Sequence, residues 1–331
     1  MLSKTIGTWM CLGALAGLVF YQSPASDATS PAPARQADSP ESPFDAERAY
    51  EYLQQICELG PRPSGSKAMQ AQQELLEKHF EKLGGKVSFQ RFRTRHPLDG
   101  SLVPMANLLV EWHPERKERV LLAAHYDTRP LPDRDPDPRK RRNGQFVGAN
   151  DGASGVALLM ELAHHIAELP TSVGVDFVLF DGEELIFDNQ RDHYFLGSEW
   201  FSRNYVGKPP EHKYRWAVLV DMIGDKNLEI FQERNSMSWQ ETAPLVVDLW
   251  KTAAKLGIRE FVPRRKHTVN DDHVKLRNIG KIPTCVIIDF DYPAWHTTAD
   301  VPHQCSGESL AKVAQVLMAW LPTVAEGEPG T

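Results

Sequence analysis

The chain has 331 residues, 41% hydrophobic and 24% charged, a balance that fits one large globular domain and excludes a fibrous or disordered chain. A formal net charge of −7 gives no general attraction for nucleic acid or an anionic membrane, so no nucleic-acid partner is expected. The local basic run RKRR, residues 139–142, reads as a solvated loop.

In chain order, Lys4 precedes an apolar run over residues 9–21, followed by small residues Ser23, Ala25, Ser26 and Ala28. This has the layout of a secretory leader. The run is shorter than the roughly 17 residues a spanning helix needs, so residues 1–28 are read as a signal peptide, with an uncleaved N-terminal anchor as the alternative. Export to the periplasm or the medium follows, with no stable membrane insertion unless the leader is retained. Residues 29–43, rich in Pro, Ala, Ser and Asp, read as a disordered linker. Residues 44–326 are the expected catalytic domain and 327–331 a tail. Outside the leader there remain Cys57, Cys285 and Cys305. An odd count allows at most one internal disulfide and suits neither a disulfide scaffold nor a cysteine zinc site.

Within the domain, residues 46–59 carry Ala49, Leu53, Ile56 and Cys57 at helical spacing and stop at Gly60-Pro61. A second helix is expected over 66–83, ended by Gly84-Gly85. Strands are expected at 86–93, 106–112 and 119–124. The Pro-, Asp- and Arg-rich segment 125–148 is long for a connector and is expected to rim a site. A helix over 153–169, a strand over 175–180, a short helix over 194–203, a strand over 216–222 and a helix over 238–256 follow. A polar stretch at 264–273, a strand at 284–289 and a last helix over 309–324 complete the chain. Helices alternating with apolar strands predict a three-layer α/β/α sandwich with a mixed, mainly parallel central sheet and its site at the carboxyl ends of the strands.

Those strand ends carry His125 with Asp127, Asp151, Glu183 with Glu184, Asp221, Asp271 with Asp272 and His273, and His296 with Asp300. The run VDFVLFDGEEL puts two adjacent carboxylates just past a buried strand and a glycine, so that one could grip a metal while the other faces a substrate. Each residue has a plainer explanation: Glu183 and Glu184 as a solvated loop, Asp151 as a helix cap, Asp221 as a strand terminus, His296 as a packed histidine. Their recurrence at successive strand ends favours a metal or acid/base centre. Carboxylate and imidazole donors without thiolate suit catalytic Zn²⁺.

HYDT, GANDGASGVALLMELA, FDGEE, LVDMIGD and WHTTAD, in this order, resemble the zinc aminopeptidase family. Within it, FDGEE, the NDDH run at 270–273 and Trp295 before His296 most resemble glutaminyl-peptide cyclotransferases, the glutaminyl cyclases. The resemblance implies one zinc ion held by Asp151, Glu184 and His296, with Glu183 as general acid/base and Asp221 and Asp271 relaying hydrogen bonds to it. It implies Trp295 lining the substrate pocket, Tyr292 as an aromatic wall, and peptide or protein N-termini as substrates. Two positions depart from the family: Asn189 stands where cyclases carry a tryptophan, with Phe187 as a substitute, and Ala124 stands where animal cyclases have a bridged cysteine.

The implied reaction turns N-terminal glutamine into pyroglutamate with loss of ammonia. A dizinc aminopeptidase is the rival, with His125 and Asp221 on a second metal, Asp151 bridging and Glu183 activating water. An inactive binding domain on the same fold is a third reading, disfavoured because Asp151, Glu183, Glu184 and His296 are all present. Arg129 or Arg134, if turned inward, would favour acidic substrates.

Overall fold

Residues 43–325 are described by a computed structural model; the expected leader, most of the linker and the tail lie outside them. Two helices open this part, α1 (Ala46–Glu58) and α2 (Lys67–Lys82). Asp45 and Ser66 cap them by accepting from the N–H groups of Arg48 and Met69. The hairpin β1 (Lys86–Arg95) and β2 (Leu102–Trp112) follows, then β3 (Glu118–His125). Next come α3 (Pro138–Asn143), α4 (Ala153–Ile166), β4 (Gly174–Phe180), α5 (Leu196–Gly207) and β5 (Lys213–Asp221). The last third holds β6 (Ile230–Gln232), α6 (Arg234–Ser238), α7 (Ala243–Leu256), β7 (Phe261–Arg265), α8 (Asp272–Asn278), β8 (Thr284–Ile288) and α9 (Gly307–Trp320).

The main sheet runs β1-β2-β4-β3-β5-β8. β4, β3, β5 and β8 are parallel, whereas β2 pairs antiparallel with β4 on one side and with the edge strand β1 on the other. Because side chains alternate across a strand, β3 sends Val120, Leu122 and Ala124 to one face and Leu121 and Ala123 to the other. The first set joins the larger core, with Leu53, Leu158, Leu162, Leu249 and Leu317 from α1, α4, α7 and α9. The second joins a smaller core with Phe201 of α5 and Leu276 of α8. The sheet is thus covered on both faces, the three-layer α/β arrangement expected from the alternating pattern. Among the described residues no helix is long and apolar enough to cross a membrane.

Several boundaries differ from expectation for local reasons. β2 starts at Leu102 rather than 106 because its first residues pair with the equally exposed end of β1, Leu102 opposite Arg95. The helix expected over 238–256 begins only at Ala243, with a proline in its first turn, and Ser238 instead ends the short α6. The polar stretch 264–273 contains the end of β7 and the start of α8, elements too short for periodicity to announce. α3 likewise lies inside the long segment 125–148. The last helix stops at Trp320 and continues as a 3-10 turn through Pro322.

Candidate active site

Parallel pairing aligns the carboxyl ends of four strands, and the side chains carrying chemistry come from just beyond them. His125 ends β3, opposite Phe180 at the end of β4. The chain then turns at Gly182, whose φ of +78° and close approach to the Met105 side chain require glycine. Asp127 receives both of the next two N–H groups, from Glu183 at 3.2 Å and Glu184 at 3.0 Å, which fixes where those carboxyls point. Asp151 is not the cap of α4; Gly152 is. Asp300 holds that loop, accepting from the N–H groups of Asn150 at 2.8 Å and Asp151 at 3.1 Å. Asp221 ends β5, and Asp271 caps α8 by accepting from the Asp272 N–H. His296 is held at φ +56°, a conformation uncommon outside glycine.

These residues converge on two histidines. His125 Nε2 lies 3.2 Å from both Asp151 Oδ1 and Asp221 Oδ1, and its Nδ1 lies 3.4 Å from Glu183 Oε2. His296 Nε2 lies 3.4 Å from both Asp151 Oδ2 and Glu184 Oε1, and its Nδ1 is 3.1 Å from Asp133. Asp151 therefore stands between the two imidazoles. The buried carboxylate oxygens Asp151 Oδ2 and Asp271 Oδ2 have no hydrogen-bond partner, an arrangement that costs free energy unless something else satisfies them. With several acids buried around two imidazoles, a dication fits the donor set. Two groupings are available: Asp151, Glu184 and His296 meeting at His296 Nε2, and His125, Asp151 and Asp221, whose donor atoms all lie within 4.8 Å of one another.

Burial drives the electrostatics. It pushes the Glu183 carboxyl well up, against the pull of the His125 charge and with the help of Glu184 and Asp271. Asp271 is raised for the same first reason, reinforced by Asp221 and Asp272. Burial acts the same way on Glu184, but the His296 and Arg129 charges outweigh it and hold that carboxyl at about 2. Burial would lower His296; Glu184 and Asp133 instead bring it up to about 9.

Beside Glu183 and Glu184 lies a cavity of about 280 Å³, lined also by Arg129, Arg134, Asn189, Tyr194, Phe195, Asn270, Phe290, Trp295 and His296. Trp295 stands where expected, 4.4 Å from the His296 ring and 4.8 Å from Phe290 between centroids. Phe187 and Tyr292 do not line it. Phe187 packs against His96 beside a separate cavity, and the buried Tyr292 donates its hydroxyl to Asp300 at 2.8 Å. The aromatic wall is built from Tyr194, Phe195 and Phe290, which carried no motif and are joined only by folding.

Asn189 has its own role. Its Oδ1 accepts from Arg129 and from the Tyr194 hydroxyl, and its Nδ2 donates to Asp133 at 2.9 Å. Arg129 in turn donates to both oxygens of Glu184, at 2.8 and 3.1 Å, and to Asp133 at 3.1 Å. Where the family carries a tryptophan there is a polar clamp that runs from the exposed Asn189 to the buried Arg129 behind Glu184, and Asp133, its second acid, gave no signal in the sequence.

Peptidase family M28 matches residues 107–321 of the chain. The crystal structure of the Fimbriiglobus ruber glutaminyl cyclase is 41% identical, covering 88% of this chain and 100% of that one, with a TM-score of 0.82. A leucine aminopeptidase precursor from Bacteroides thetaiotaomicron is 30% identical, covering 87% of this chain and 99% of that one, with a TM-score of 0.80. A glutaminyl-peptide cyclotransferase of Drosophila melanogaster is 24% identical over 264 residues, 73% of this chain and 71% of that protein. With strand-end donors on an α/β sheet and solved structures that match it over nearly their whole length, the chain belongs to peptidase family M28 and stands with its glutaminyl cyclases.

Proposed function

We propose that the protein is a zinc-dependent glutaminyl-peptide cyclotransferase, converting N-terminal glutamine of peptides and proteins to pyroglutamate with release of ammonia. The observation that carries this reading is the cavity that sets the buried Glu183 carboxyl against Trp295, Phe290 and Tyr194, in a chain 41% identical to a glutaminyl cyclase. Asp151, Glu184 and His296 would hold the ion. When bound, zinc would supply Lewis-acid polarisation of the side-chain amide carbonyl.

The protein's own groups do the rest. The α-amine of the substrate attacks its own side-chain amide carbon, one C–N bond forming as the C–NH₂ bond breaks. Glu183 takes a proton from the amine and returns it to the departing nitrogen, which leaves as ammonia. A carboxyl pushed up by burial, as this one is, is suited to both halves of that transfer. Asp271 adds its charge to those that hold the Glu183 carboxyl up, and Asp221 meets His125 Nε2 at 3.2 Å. The aromatic wall excludes water, which would otherwise hydrolyse the amide, and holds the amine near the carbonyl. We further propose that residues 1–28 direct export of the domain.

A second reading keeps a specific observation in its favour. The grouping of His125, Asp151 and Asp221 has the spacing of a metal site, as a dizinc aminopeptidase would require. Mass spectrometry of Gln-Xaa peptides with the zinc-loaded protein separates the two. The cyclase loses about 17 mass units, and Glu183→Gln lowers the rate by roughly 10²- to 10⁴-fold. Release of free glutamine with two zinc ions per chain would replace the proposal with the peptidase.

A further inference from the structure

Resting on the cyclase reading, we propose that Arg134 is a specificity residue, selecting peptides that carry an acidic side chain directly after the N-terminal glutamine. Arg129 and Arg134 are both arginines of the loop that rims the site, but they have opposite surroundings. Arg129 is buried and its guanidinium is spent on Glu184 and Asp133. Arg134 is exposed and lines the cavity that holds Glu183.

Its guanidinium carbon sits 3.8 Å from the centroid of the Trp295 ring, and its backbone N–H donates to the His296 carbonyl at 3.1 Å. The side chain is therefore laid flat on the pocket tryptophan and its backbone is tied to the histidine loop. Stacking of this kind orients the guanidinium and leaves its N–H edge free. Among the described residues no carboxylate pairs with it. Lys266, next to the His267 that packs on Phe290, is already paired with Asp291 at 2.5 Å.

The size of the cavity places the partner. About 280 Å³ is at the foot of the range for small-ligand sites, about 300 Å³ and upward. It takes one residue, and the next lies at the rim. Inside, Glu183 faces the substrate amine; the exposed Arg134 lies at the mouth, where an acidic side chain is attracted. A carboxylate there meets two parallel N–H groups on a preset plane. A pair this exposed is worth about two- to fivefold in selectivity, and salt screens it.

The test compares kcat/KM for the amidated peptides Gln-Glu-Phe and Gln-Ala-Phe with the zinc-loaded full chain and with Arg134→Ala and Arg134→Lys. A parallel pair with norvaline replacing glutamine, which has no amide to react, is titrated calorimetrically. The wild type should favour the glutamyl peptide by about two- to fivefold in both measurements. The preference should vanish in Arg134→Ala, persist in part in Arg134→Lys, and fade at high salt. Equal treatment of the two peptides by the wild type, or a preference that survives Arg134→Ala, overturns the role of Arg134. Failure of the wild type to cyclise either glutamine peptide overturns the cyclase reading instead, and the norvaline pair then still decides for or against Arg134.

Discussion

Replacing Arg129 by methionine tests whether the polar clamp behind Glu184 stands in for a bound cation. The guanidinium is 2% exposed, reaches both oxygens of Glu184, and also meets Asp133 and Asn189. Methionine keeps much of the aliphatic stem's volume, so the packing loss is small. What is lost is the counter-charge to a carboxylate that is itself 4% exposed. Removing one partner of a buried pair costs about 3–5 kcal/mol, the magnitude expected from urea unfolding in the presence of a chelator. With saturating zinc the loss should shrink, because the ion then supplies positive charge beside Glu184. By linkage the variant must bind zinc more tightly by the difference, tenfold for each 1.4 kcal/mol or so, which competition with a chromogenic chelator reads directly. A metal-free loss below about 1 kcal/mol, or an equal loss with and without zinc, would refute the reasoning.

Two further outcomes rest on burial away from the metal donors. Asp289 is 2% exposed and its carboxyl is raised to about 6, first by burial and then by Asp225 and Asp291, against the N–H bonds it accepts from Glu229 and Asp291. Because the folded state holds this proton more tightly, its contribution to stability is present below about pH 4 and lost as the pH rises through about 6. Unfolding curves across that window should show the wild type losing stability relative to Asp289→Asn, and parallel curves would contradict the assignment. Cys57, Cys285 and Cys305 are unpaired and buried, and burial pushes the Cys57 thiol up to about 12. In a chain carrying Cys11→Ser, a thiol reagent at pH 8 should find all three protected while folded and all three reactive in denaturant; one fast thiol in the native protein would show the packing to be wrong.

The alternation of apolar strands and amphipathic helices was readable because each long element repeats a local period, and periods survive without tertiary information. The strand-end acids were readable for a related reason. A buried run such as Val175–Phe180 has to stop, and the polar residues after it in a parallel sheet all stop at the same edge. The short elements α3, α6, α8, β6 and β7 were not: one or two helical turns show no period against their neighbours, and β6 and β7 lack the wholly buried run that announces β8.

The pocket wall shows where local pattern stops being informative. Phe187 and Phe290 are both aromatic residues in loops, yet Phe187 is drawn off by His96 while Phe290 packs on Trp295. Tyr292, three residues from Trp295, spends its hydroxyl on Asp300. Arg129 and Arg134 share one loop and one residue type, and what separates them is Glu184 on one side and Trp295 on the other. Residue chemistry and chain period settle which groups reach the edge of the sheet. Which of them face one another depends on loops from distant parts of the chain closing over that edge, and the free energy of those contacts belongs to pairs that no single stretch of sequence contains.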